Sequence, residues 1–272
     1  MSIISNSTRS LLLLLGVLVL TSFRKDIDKP LLGIKARFEK FTIDNIGNMY
    51  LVQDEEIVKV LPTGKPFARY SNLKLGKITA VDATNPLKVL LYYKDFQQIV
   101  FLDNQLSVNS DEVSLTDLGY EQTELVCAGA NNSFWIYNKQ NNELLRFNEN
   151  SKKISATGNL KQILRTELNP DFMIEHNGFL YLNSPENGIY VFDFYGAFSR
   201  VLPLTAIKQF QVDDEIVYYT KDSLLCSYNT KLMETACDTV FNQAKYLSAR
   251  YFRNKLYVAY HDSLLVYQYS KK

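Results

Sequence analysis

The chain has 272 residues, with Lys plus Arg at 30 and Asp plus Glu at 29, a formal net charge of +1. That balance excludes a dedicated nucleic-acid binder, which carries a basic excess, and a hydrophobic share of 46% excludes a disordered chain. With 18 Tyr and 16 Phe against one Trp, 2 His and 3 Cys, the composition leans to β-structure and lacks the parts for many metal and triad sites.

Residues Ser2 to Arg9 are polar apart from Ile3 and Ile4 and end in a cation, and Leu11 to Leu20 is wholly apolar apart from Gly16. Thr21, Ser22, Phe23, Arg24 and Lys25 follow. This is the layout of a secretory signal, and the apolar run falls short of the roughly 20 residues of a membrane span. Residues 1–23 therefore read as a signal peptide or an N-terminal anchor, 24–30 as a linker, and 31–272 as a single domain. The expected address is the periplasm or the outer-membrane periphery, with membrane association through the N-terminal segment if it is retained. Ser22 precedes a cleavage point that is not a clean A-x-A, so removal is left open.

Beyond Pro30 the chain is a series of strand-like runs of five to eight residues, punctuated by Asn, Asp, Gly, Lys and Ser. Four runs recur per unit: Phe38–Ile43, Met49–Gln53, Ile57–Leu61 and Phe67–Ser71 in the first. Later units start at Ile78, Glu124, Phe172, Gln209 and Leu247. First strands recur near Phe41, Val81, Leu125, Met173, Phe210 and Ala249, at spacings of 40, 44, 48, 37 and 39 residues, which is propeller-blade spacing. Only Gly158–Leu168 suggests helix, one turn or two inside a connection. The sixth unit lacks a fourth strand, and residues 31–37 form a spare one before the first unit. The fold expected is all-β, a six-bladed β-propeller whose last blade is closed by that N-terminal strand. Five or seven blades are the alternatives if the second and third units are divided differently.

Ile43-Asp44-Asn45-Ile46-Gly47-Asn48-Met49-Tyr50-Leu51-Val52 resembles an NHL-type propeller repeat, and Ile57–Val60 with Pro62-Thr63-Gly64-Lys65 continues the likeness. His176–Leu182 is a weaker echo, and Asp222-Ser223-Leu224-Leu225 and Asp262-Ser263-Leu264-Leu265 repeat each other in the last two units. The resemblance implies an NHL-like or TolB-like six-bladed propeller. Such folds host many functions. The likeness to propellers with sugar-lactonase activity implies channel metal ligands, for which Asp44, Asp82, Asp213 and Asp214 are the weak candidates.

Chemistry is otherwise sparse. His261-Asp262-Ser263 are neighbours on a turn and point apart, so they make no triad. No His or Cys pair has zinc spacing, and no phosphate-binding glycine loop is present, so no cofactor is expected. Cys226 and Cys237 are equidistant from a turn at Thr230–Met233, which would oppose them on a hairpin within disulfide reach; two free thiols are the alternative. The Tyr and Phe pairs read as packing between blades. Phe96 and Tyr195, in connecting loops, are the candidate interaction residues. The resulting expectation is a non-catalytic binding or scaffold propeller of the bacterial envelope with an envelope protein partner. The alternatives are a lactonase-like or glycan-processing enzyme with a channel metal, or a small-ligand sensor.

Overall fold

The computed structural model describes residues 29–110, 112–222, 224–239 and 246–269. The expected signal or anchor, 1–23, lies outside the described residues, as does 24–28 of the linker. No helix among the described residues is long and apolar enough to cross a membrane.

Six four-stranded antiparallel sheets form the blades. Blade 1 is β2 (Lys40–Ile43), β3 (Met49–Gln53), β4 (Glu56–Val60) and β5 (Pro66–Ser71). Blade 2 is β6 (Ala80–Asp82), β7 (Val89–Tyr93), β8 (Gln98–Leu102) and β9 (Val113–Ser114). Blade 3 is β10 (Thr123–Ala128), β11 (Phe134–Asn138), β12 (Glu143–Phe147) and β13 (Lys153–Ala156). Blade 4 is β14 (Phe172–His176), β15 (Phe179–Ser184), β16 (Gly188–Asp193) and β17 (Phe198–Leu202). Blade 5 is β18 (Phe210–Asp213), β19 (Ile216–Lys221), β20 (Leu224–Asn229) and β21 (Glu234–Thr239). Blade 6 is β22 (Ser248–Phe252), β23 (Lys255–Ala259), β24 (Ser263–Gln268) and, from the other end of the chain, β1 (Leu32–Lys35). The β1–β24 register runs from Leu32↔Val266 to Lys35↔Ser263. The expected closure is therefore present, and it pairs what would be an open edge.

The units read from the sequence correspond to these blades, with two corrections. The fourth strand expected over Val108–Leu115 shrinks to the two residues of β9, with Val108 making only an isolated bridge to Leu102. Met233, expected to open β21, sits in the preceding turn with φ +58. The helical segment is one short helix, α1 (Leu160–Leu164), whose N-cap Asn159 accepts from the Gln162 backbone N–H.

The middle strands are buried on both faces, as in Val89–Tyr93 and Phe134–Asn138. Each lies between neighbouring blades, so the period-2 alternation of a half-exposed sheet is lost. The core is correspondingly divided among the seams between blades. Tyr50, Val52 and Ile57 pack on Val89, Leu91 and Tyr93 between blades 1 and 2. Trp135 and Tyr137 pack on Leu180 and Phe192 between blades 3 and 4. Between blades 5 and 6 the buried members among the described residues are Leu225, Leu256, Val258 and Tyr269, with half-buried tyrosines around them.

A turn recurs between the third and fourth strands. The backbone N–H of Leu61, Asp103, Asn148 and Asp193 donates to the carbonyl four positions on, and the carbonyl of each accepts from the N–H three positions on. The side-chain oxygens of Asp103, Asn148 and Asp193 also accept two backbone N–H groups. The fourth residue has positive φ: Gly64, Leu106, Ser151 and Gly196. Asp or Asn supplies the local acceptor that closes such a turn.

Candidate functional site: the central channel

The first strand of every blade is a sheet edge, so six rows of unpaired backbone N–H and C=O groups face the axis. Unpaired buried backbone groups are costly, and side chains from adjacent blades reach across to bond some of them. Lys40 Nζ donates to the Ile78 and Thr79 carbonyls at 3.0 and 2.8 Å, joining blades 1 and 2. Asp82 Oδ2 accepts from the Ala128 N–H at 2.9 Å, joining blades 2 and 3. Glu175 Oε1 accepts from the Ala130 N–H at 2.8 Å, joining blades 4 and 3. His176 Nε2 accepts from the Asp214 N–H at 3.2 Å, joining blades 4 and 5. Gln211 Oε1 accepts from the Tyr251 N–H at 2.7 Å, and Arg250 donates to the Phe210 carbonyl at 3.2 Å, joining blades 5 and 6. At the last seam the Phe252 ring lies against Gly47 (φ +92), where a Cβ would come within 3.3 Å of it.

These strands enclose a channel of about 810 Å³. Its middle is apolar, with Phe41, Val81, Leu125, Met173 and Val212 on the wall, and its ends are polar. Lys40, Glu124, Asp171 and Gln209 stand where the inner strands begin; Asp44, Asp82, His176 and Asp213 stand where they end.

The four candidate metal ligands occupy different situations. Asp44 is buried, and its carboxylate accepts from the Ile46 and Asn48 N–H groups, from Asn48 Nδ2 and from the Tyr50 hydroxyl at 2.7–3.0 Å. Burial, then the Asp44 charge, pushes the Tyr50 phenol upward. Asp82 accepts from the Thr84 N–H and hydroxyl as well as from Ala128. Asp213 is exposed at the end of β18, and Asp214 lies in the next turn with φ +49. No group of three His, Cys, Asp or Glu side chains among the described residues converges to hold a metal ion. The His261 turn likewise holds a local bond, Ser263 Oγ to Asp262 Oδ1.

The most elaborate polar cluster escapes a motif search. Arg146 is fully buried on β12. It donates to Ser133 Oγ at 2.9 Å and to the Phe194 and Ala130 carbonyls at 3.0 Å, and lies 3.6 Å from Glu175 Oε2. Its guanidinium stacks on the Phe194 ring at 3.4 Å. Glu175 Oε2 also accepts from Trp135 Nε1 at 2.5 Å. Burial lowers the Arg146 pKa, and the Glu175 charge opposes that. The signal was a cation inside an apolar strand run, Leu144-Leu145-Arg146-Phe147; Arg250 in Ala249-Arg250-Tyr251-Phe252 gives the same signal.

Cys226, Cys237, Phe96 and Tyr195 lie away from the channel, whereas Cys127 is on its wall. Cys226 and Cys237 are register partners on β20 and β21, bonded at S–S 2.04 Å with Cα atoms 4.1 Å apart. Cys127 is buried, and burial raises its thiol well above the usual range. Phe96, between β7 and β8, and Tyr195, between β16 and β17, are both exposed but sit at opposite ends of their blades.

No protein-family model matches the chain, and no curated protein matches it in sequence. Solved structures do resemble it. Virginiamycin B lyase of Staphylococcus aureus aligns at TM-score 0.56 and 13% identity over 84% of this chain and 79% of its own. BamB of Moraxella catarrhalis aligns at TM-score 0.54 and 9% identity over 89% and 99%. The BBS1 N-terminal domain, solved in complex with ARL6, aligns at TM-score 0.53 and 9% identity over 83% and 76%. One of these is an enzyme and another holds a protein partner, and identities this low speak to fold alone. By its own sheets and by these likenesses, the chain is a six-bladed β-propeller.

Proposed function

We propose that the protein is a non-catalytic binding propeller of the bacterial cell envelope that holds a protein partner on one end of the ring. One observation carries this reading: the carboxylates bordering the channel, Asp44 and Glu175 buried and Asp82 half-buried, accept backbone and side-chain donors from their own chain. A general acid, a general base or a metal ligand needs an oxygen turned to the substrate. The end of the ring where the inner strands finish carries exposed apolar side chains on its connections: Ile46, Leu87, Tyr195, Leu232 and Met233. Large apolar groups on loops suit protein contact. The Cys226–Cys237 bond supports an oxidising compartment.

The test is cross-linked capture from envelope extracts with the intact protein and with Tyr195→Ser/Met233→Ser. A partner recovered only by the intact protein supports the reading. Equal recovery by both rejects this end as the contact, and stoichiometric metal with turnover of a lactone rejects the non-catalytic assignment.

A further inference from the structure

Among the described residues two arginines are buried in the ring, and one of them has an acid beside it. Arg146 faces Glu175. Arg250, on β22, is 7% exposed and borders the channel. It makes two hydrogen bonds, from one terminal nitrogen to the Phe210 carbonyl at 3.2 Å and from the other to Gln209 Oε1 at 3.0 Å. Both acceptors are neutral. Among the described residues no carboxylate lies within ion-pair distance of it. A guanidinium has five N–H donors, so three remain for another acceptor.

A buried charge is normally paired, because removal from water costs several kcal/mol. Burial lowers the Arg250 pKa to about 10, with no acidic group acting against it. The side chain is still a cation at neutral pH. Among the described residues its seam has four buried apolar members, Leu225, Leu256, Val258 and Tyr269. The cavity it borders, about 810 Å³, falls in the size range of small-molecule sites, roughly 300–1,000 Å³.

We propose that the channel binds a small organic carboxylate, its carboxylate taken by Arg250 and its apolar body lying along the wall formed by Phe41, Leu125, Met173 and Val212. The planar fork of a guanidinium matches a carboxylate in two parallel bonds. A phosphate dianion fits less well. Lys40, the cation at the near mouth, already donates to two carbonyls, and Glu124 and Asp171 border that mouth. The site goes beyond the scaffold assignment and does not depend on it.

Calorimetric titration of the full chain tests it with three probes: 4-phenylbutyrate, 4-phenylbutanol and inorganic phosphate. The acid should bind one per chain and about tenfold or more tighter than the alcohol, since a hydrogen bond to a charged group contributes roughly 1.5–3 kcal/mol. Arg250→Gln keeps a donor for the Phe210 carbonyl and should abolish the preference. Arg250→Lys, a point charge, should keep part of it. Should Arg250→Gln fail to fold, Arg250→Lys carries the comparison, and its preference must fall below that of the unaltered protein. No saturable binding of the acid, equal affinity for acid and alcohol, phosphate bound more tightly than the acid, or an unchanged preference in the variants would each overturn the proposal.

Discussion

Replacing Glu175 tests the idea that channel-facing carboxylates are structural. Glu175→Ala removes the acceptor for the Ala130 N–H at 2.8 Å and for Trp135 Nε1 at 2.5 Å. It also leaves Arg146, whose side chain is 1% exposed, without its counter-charge. Breaking a buried pair from one side costs about 3–5 kcal/mol, because the remaining charge stays desolvated. With a urea slope near 3 kcal/mol per molar, suited to a domain of this size, the midpoint should fall by about 1–2 M. The single tryptophan, Trp135, touches the site, so its fluorescence reports the transition directly. A double-mutant cycle with Arg146→Met should give a coupling of about 1 kcal/mol or more, since the two side chains share one network. A loss under about 0.5 kcal/mol, the size of an ordinary surface substitution, or a coupling near zero would refute the reasoning.

Five further outcomes follow from the structure. Gly129→Ala should destabilise markedly and raise proteolysis of blade 3, because its Cβ would sit 2.5 Å from Ser133 Oγ and 2.8 Å from Glu175 Oε2. Gly178→Ala meets nothing within 4 Å, so any loss there reflects φ +77 alone and should be smaller in thermal melts. Asp44→Ala strands the Ile46, Asn48 and Tyr50 donors and should cost about 2–4 kcal/mol by thermal unfolding. Reducing the Cys226–Cys237 bond, which spans a separation of 11 residues, should lower stability by about 2–3 kcal/mol on loop entropy, read as a drop in melting temperature with dithiothreitol that Cys237→Ala removes. Burial holds the His176 pKa below its usual value, while Asp213 and Asp214 act against that. As pH falls below about 6.5 the unfolded chain takes up the proton first, so stability declines until the folded-state pKa is reached. His176→Gln should flatten that acid slope in denaturation curves recorded from pH 7 to 5.

The strand runs, their spacing and the closing segment are local or periodic properties, so six blades and the N-terminal strand were legible in the residues alone. Gly47 in a turn and Cys226 opposite Cys237 were legible for the same reason, since each depends on a few neighbours or on one hairpin register. Met233 was misplaced because Asp or Asn at the head of the third-to-fourth-strand turn, not apolarity, decides where the outer strand begins. The channel was not legible. Its polar contacts join residues such as Lys40 and Thr79, or Arg250 and Phe210, about forty positions apart on consecutive blades. Only ring closure brings them together. The sequence by itself determined the repeat and favoured six units over five or seven, because strands and turns follow from short-range sterics and alternation. The tertiary structure decided which charges are structural. Asp44, Asp82 and Glu175 accept donors from their own chain, whereas Arg250 has no acid beside it among the described residues, and that distinction depends on what lies across a seam.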